Sequence, residues 1–150
     1  MKTNNRENKN IKESLAEIEI SLPSDPKCIS EVRDTVLRIC QKAILADECS
    51  EDFCLAVIEA VTNAIRHSGC EKFVLAIKLT EDDLTATIVD DGNGFSFNEE
   101  SCKFPAIDAP GGRGLPIIRS LVDHLSVNSK LGIGTTLTLS KILKHCENSA

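Results

Sequence analysis

The chain of 150 residues has no Trp, no Tyr, one Met and only five Phe. Its core must therefore be built mainly from Ile, Leu, Val and Ala. A hydrophobic fraction of 41% is enough for one globular domain and too high for a disordered segment. Long apolar runs are missing as well: none approaches the ~20 residues that cross a bilayer. Residues 1–13 are rich in Asn, Lys and Glu where a secretory signal would be apolar. Surplus positive charge is also absent, with 17 Lys and Arg against 23 Asp and Glu and a net charge of −6. That balance argues against nucleic-acid binding, which needs a basic face to displace phosphate counterions. The expectation is a cytoplasmic protein that contacts neither membrane nor nucleic acid.

Other absences narrow the chemistry. The seven Cys are odd in number and no pair has the C-x-x-C spacing, which disfavours both a disulfide framework and a zinc site. Several occupy apolar positions of helical patterns and read as small core residues in a reducing compartment. No G-x-x-x-x-G-K-[ST] occurs, so a P-loop is excluded. No G-x-G-x-x-G occurs either, which excludes a Rossmann fingerprint.

What is present divides into nine pieces. Ala16–Leu22 alternates weakly and ends at Pro23, as an edge strand would. Ser24 or Asp25 caps a helix with Pro26 in its first turn, and Ile29, Val32, Val36, Ile39, Cys40 and Ala43 recur at helical spacing up to about Leu45. Ser50 reads as the cap of a second helix, with Glu51 and Asp52 in the first turn and an end near His67. Phe73–Leu79 and Leu84–Val89 read as strands around a polar turn. A third helix runs from about Leu115 to Asp123, and Leu125–Ser129 and Thr135–Leu139 read as two last strands. The order β-α-α-β-β-loop-α-β-β predicts one α+β domain, three helices on one face of a five-stranded mixed sheet. The boundaries expected are a flexible polar leader over 1–14, a domain over 15–143 and a flexible tail over 144–150.

The second helix sorts by face. Cys54, Val57, Ile58, Val61, Ala64 and Ile65 share one sector, while Glu59, Asn63 and His67 follow one another at intervals of four on the other side. Glu59 and Asn63 can thus act on one ligand, although a solvated polar face would look the same. Two glycine segments point to a ligand. The strand ending at Val89 runs into Asp90-Asp91-Gly92-Asn93-Gly94, where glycines permit close approach to the backbone and Asp90 can accept from an amino group. Gly111-Gly112-Arg113-Gly114 opens directly into the third helix, whose unpaired N–H groups suit a phosphate.

In order, Glu59–His67 (EAVTNAIRH), Val89–Phe95 (VDDGNGF) and Gly112–Arg119 (GRGLPIIR) resemble the three nucleotide boxes of the GHKL ATPases, and Gly132–Leu137 resembles their last conserved strand. The wording of the first box and the compact size are most similar to the bacterial anti-sigma-factor serine kinases, over roughly residues 24–141. The resemblance implies a two-layer Bergerat-type ATP-binding fold with ATP and Mg²⁺ as cofactors. Asn63 would ligate Mg²⁺ and Glu59 would be general base on the attacking hydroxyl. Asp90 would take the adenine amino group, with Gly92 and Gly94 letting the base sit against the backbone. Phe95–Gly111 would be a lid, and Gly111, Gly112, Arg113 and Gly114 would hold phosphate. Leu115, Thr135 and His67 complete the implied contacts, His67 being equally at home as a dipole-compensating helix end.

The implied partners are a STAS-domain anti-anti-sigma protein, phosphorylated on Ser or Thr, and a sigma factor that the kinase sequesters, with a homodimer as the family's common state. Two other readings stay open: an ATP-binding regulatory module without kinase activity, and a histidine-kinase-like ATPase domain. For the last, no His precedes the domain to carry the phosphate.

Overall fold

A computed structural model describes residues 13–43, 45–106 and 114–146. Five strands and three helices follow the expected order: β1 Ser14–Pro23, α1 Ile29–Lys42, α2 Asp47–His67, β2 Lys72–Thr80, β3 Asp83–Asp90, α3 Gly114–Leu121, β4 His124–Lys130 and β5 Gly134–Ile142.

The sheet order is β1-β2-β3-β5-β4, and every neighbouring pair is antiparallel. The expectation of a mixed sheet is corrected here. A helix between β3 and β4 suggests parallel neighbours, but β5 folds back as a hairpin and enters between them. Thus β3 and β4 do point the same way, yet they do not pair with each other: the antiparallel β5 lies between them.

Period-two alternation gives the sheet one dry face. Phe73, Leu75, Ile77 and Leu79 on β2, Leu84, Ala86 and Ile88 on β3, and Leu137 and Leu139 on β5 are all buried. Their neighbours Val74, Ala76, Thr85, Thr87 and Thr138 are only partly covered. The helices close over the dry face with Val32, Val36 and Ile39 from α1, Phe53, Val57 and Val61 from α2, and Ile118 from α3, in one continuous cluster. Phe53 is the largest of the helical residues that are wholly buried. Truncating such a side chain to Ala costs about 3–5 kcal/mol.

Local chemistry sets the helix ends. Asp25 accepts from the Lys27 N–H at 2.9 Å and caps a 3-10 turn, Pro26–Cys28, that feeds α1. α2 starts at Asp47, three residues before the expected Ser50, with Ala46 in the cap position and no side-chain cap. Asp47 and Glu48 occupy its first turn, where the helix dipole favours acids. The Ala46 N–H donates instead to the Cys146 carbonyl at 3.3 Å. Cys146 ends a 3-10 turn, Leu143–Cys146, and is buried.

All seven cysteines are thiols, and Cys28, Cys40, Cys54 and Cys146 are buried. No helix among the described residues is long and apolar enough to cross a membrane.

Candidate nucleotide site

α2 is a two-sided helix. One side anchors it in the core through Phe53, Val57, Val61 and Ala64, and the other presents half-buried Glu59, Thr62 and Asn63 to a cavity of about 1050 Å³. That volume lies at the upper end for a small-molecule site. α3 forms the opposite wall at Gly114, Leu115 and Ile117, and the ends of β3 and β5 form the floor at Ile88, Asp90, Thr135 and Leu137. The segment from Gly94 to Pro105 closes one side.

The N-terminal end of α3 stands directly over Asn63. A Cβ placed on Gly114 would lie 2.9 Å from both the Oδ1 and the Nδ2 of Asn63, so a side chain there would have to displace the amide. An amide oxygen and backbone N–H groups at a helix start therefore share one corner of the cavity, with Glu59 one turn away on the same helix. Those donors suit phosphate oxygens and a hard cation: the amide oxygen can ligate Mg²⁺, while the helix start holds negative charge.

Asp90 supplies the other end. Its residue surface is 9% exposed, and its Oδ1 accepts the Gly92 N–H at 3.0 Å. Burial raises its carboxyl above the usual value; the Gly92 N–H opposes that shift, and the nearby Asp91 charge adds to it. The result is a buried acceptor in a largely apolar recess between Ala64, Ile88 and Leu137. A planar aminated base needs such an acceptor for its amino group, so the two ends of the cavity suit a nucleotide such as ATP.

The glycines after Asp90 also make room for protein backbone. Gly92 does not line the cavity. A Cβ on it would overlap the Ser68 carbonyl at the end of α2, which accepts the Asn93 N–H at 2.6 Å. Gly94 does line the cavity, but at φ +63° its missing side chain makes room for the Lys130 carbonyl of β4. Both glycines admit protein backbone, and they lock the loop onto α2 and onto the β4–β5 turn, where the Gly132 N–H donates to Asn93 O at 2.7 Å.

Of the other expected contacts, His67 is exposed at the cavity rim, Phe95 is half-buried within it, and Leu115 and Thr135 line it. Phe95 meets Phe97 edge-to-face at 6.4 Å. Gly111, Gly112 and Arg113 lie outside the described residues. The described part of the expected lid has structure of its own. Asn98 caps a 3-10 turn, Glu99–Cys102, and Lys103 pairs with Glu100 at 2.8 Å.

The sequence reading missed Thr62, Arg66, Ser68, Lys103 and Phe104, all of which line the cavity. Thr62 and Arg66 sit three and seven residues after Glu59, so a wider arc on the same helical wheel would have included them. Lys103 and Phe104 carried no signal, because a loop has no period.

Residues 22–141 match the histidine kinase-like ATPase domain. Serine-protein kinases RsbW from Staphylococcus aureus are 30% identical over 140 residues in strains bovine RF122 / ET3-1 and MRSA252, covering 85% of this chain and 87% of theirs. A crystal structure of the RsbU and RsbW domains of a Mycobacterium tuberculosis protein superposes with TM-score 0.64 at 20% identity, over 85% of this chain and 32% of that one. The histidine kinase domain of a blue-light activated histidine kinase from Erythrobacter litoralis does so with TM-score 0.54 at 19% identity, over 83% of this chain and 63% of that one. Both structural likenesses bear on the fold alone. With a floor acceptor, a helix-start corner and this match along most of its length, the chain belongs to the histidine kinase-like ATPase domain family and is similar over 85% of its length to serine-protein kinases.

Proposed function

We propose that the chain is an ATP- and Mg²⁺-dependent serine/threonine protein kinase and anti-sigma factor. Its acceptor is a Ser or Thr of a STAS-domain anti-anti-sigma protein, and it sequesters a sigma factor. The observation that carries this reading is the placing of Glu59 and Asn63, one helical turn apart, on the same cavity wall opposite the start of α3. The similarity to serine-protein kinases supports the choice of acceptor. The acidic net charge of −6 supports protein partners over nucleic acid. Homodimerisation and a cytoplasmic location complete the proposal.

Bound in the cavity, ATP supplies the transferable phosphoryl group and Mg²⁺ the charge that holds its phosphates. The residues of the chain position these groups. Asp90 orients the base, the start of α3 and Asn63 hold the phosphate end, and Arg66 and Lys103 bring positive charge to the cavity lining. Glu59 takes the proton from the acceptor hydroxyl as its oxygen bonds to the phosphorus, and ADP departs. Such transfers need in-line positioning and charge neutralisation more than covalent help.

The test is transfer from γ-labelled ATP to a STAS-domain partner by the wild type and by Glu59→Gln. Loss of a general base is expected to slow labelling about 10²–10⁴-fold, with ATP affinity retained. Equal labelling by both proteins would remove Glu59 from its role. Tight ATP binding with no labelled partner would leave a nucleotide-dependent binding module.

A further inference from the structure

Ser129 does not line the cavity, yet three hydrogen bonds converge on it. The Phe95 N–H donates to its Oγ at 2.8 Å, the Thr135 Oγ1 lies 2.7 Å away, and the Gly134 carbonyl lies at 3.4 Å. The strands put these groups in a row. Thr135 is the cross-strand partner of Asp90 on one side and of Ser129 on the other, so it stands between the buried carboxylate and the outer hydroxyl. Ser129, Thr135 and Phe95 are all half-buried, and Thr135 and Phe95 line the cavity with Asp90.

The hydroxyl of Ser129 has one proton and two acceptors within reach. An O–H···O bond of 2.7 Å is ordinary, whereas 3.4 Å lies beyond the range of good geometry. Accepting the Phe95 N–H also polarises Ser129 as a donor. Its proton therefore goes to Thr135 Oγ1, and the proton of Thr135 must then turn towards the cavity. The relay runs one way: Phe95 N–H to Ser129 Oγ–H to Thr135 Oγ1–H to ligand.

We propose that Ser129 is a specificity-determining positioning residue, which fixes Thr135 as a donor beside the acceptor Asp90. This rests on the nucleotide reading of the cavity and goes beyond it by assigning base selectivity to a residue outside the site. An acceptor beside a donor complements a 6-aminopurine, whose amino group adjoins an unprotonated ring nitrogen. It opposes a 6-oxopurine, whose carbonyl adjoins a ring N–H. With the relay cut, Thr135 can reorient its proton, and the penalty on the oxopurine falls.

The experiment measures dissociation constants of ATP and ITP by calorimetry for the full chain, Ser129→Ala and Ser129→Thr. The wild type is expected to prefer ATP. Ser129→Ala should reduce the preference for ATP over ITP by about tenfold, the equivalent of one net hydrogen bond, and Ser129→Thr, which keeps the hydroxyl, should restore it. If Ser129→Ala weakens both nucleotides equally, the residue is merely structural and the relay is refuted. An unchanged ratio with unchanged affinity refutes it too. Failure of the wild type to bind either nucleotide would instead overturn the nucleotide reading, and the relay with it.

Discussion

Replacing Asp90 by Asn separates the charge of the carboxylate from its shape. The side chain is nearly isosteric, and Oδ1 can go on accepting the Gly92 N–H that it holds at 3.0 Å. That bond fixes the orientation of the new amide, because only its oxygen can accept. The NH₂ then occupies the place of the second carboxylate oxygen, so the ligand's amino group meets a donor where it had met an acceptor. A hydrogen bond to a charged group is worth about 1.5–3 kcal/mol, which corresponds to roughly 10–150-fold in affinity for ATP.

The nucleotide-free protein should respond in the opposite sense. Burial raises the Asp90 carboxyl above its ordinary 3.8, so the folded chain holds this proton more tightly than the unfolded one. Between 3.8 and the raised folded value, stability falls as pH rises, and near neutrality the ionised group is a liability. Asp90→Asn removes that liability and keeps the hydrogen bond, so the melting temperature without ligand should be unchanged or higher. Thermal melts with and without Mg-ATP read both effects together. At ATP a hundred times the wild-type dissociation constant, wild type gains about 2.7 kcal/mol, or about 5–10 °C for a chain of this length. A variant that binds a hundredfold more weakly gains about 0.4 kcal/mol, or about 1–2 °C. Two results would refute the reasoning: an ATP-induced shift equal to that of wild type, or a ligand-free variant that melts many degrees lower.

Gly92→Ala should be destabilising by about 1–3 kcal/mol, the usual cost of overpacking, because its Cβ would overlap the Ser68 carbonyl; a denaturation midpoint equal to wild type would count against the packing described. Gly94→Ala adds a left-handed φ to a similar overlap with Lys130 and should do at least as much harm. Burial pushes the Cys40 thiol up to about 11 and that of Cys146, which is hydrogen-bonded to Cys49, up to about 12. Iodoacetamide near pH 8, read by peptide mass spectrometry, should modify half-exposed Cys70 and Cys102 first and leave Cys40 and Cys146 intact until denaturant is added. Above pH 9.0 the unfolded chain loses these protons while the folded one keeps them, so stability should fall as pH rises further.

Periodicity made the core elements legible. The alternation through Phe73, Leu75, Ile77 and Leu79 survives intact as β2, because a sheet with one covered face tolerates no other phase. The spacing of Glu59, Asn63 and His67 was likewise readable, since the buried residues of α2 leave only one way for that face to point. What escaped the sequence depends on contacts between distant segments. Ser50 satisfies a local capping rule, but the start of α2 is set by a backbone bond from Ala46 to Cys146, a hundred residues on. Strand direction was misread because nothing local says that β5 enters between β3 and β4. Ser129 was legible only as a strand residue, and the close approach of Gly92 to the Ser68 carbonyl was not legible at all, because both depend on contacts with distant segments.

The two ends of the cavity are held in place by different means. Glu59 and Asn63 project from a 21-residue helix whose opposite face includes Phe53, Val57 and Val61, all wholly buried, so moving them requires moving the core. Asp90 and Thr135 sit on adjacent central strands, paired to each other and flanked by buried Ile88 and Leu137. Between Ser96 and Ala106 the regular structure is limited to the 3-10 turn Glu99–Cys102, and Phe104, which lines the cavity, is 61% exposed. On the proposed reading, the groups that act on the acceptor hydroxyl and the phosphates therefore stand on core-anchored elements, as preorganised catalysis requires. Contacts made by the less constrained segment can form and break with each nucleotide without disturbing that geometry. Substitutions in residues 96–106 should accordingly alter nucleotide exchange and affinity more than the chemical step, whereas those at Glu59 should do the reverse.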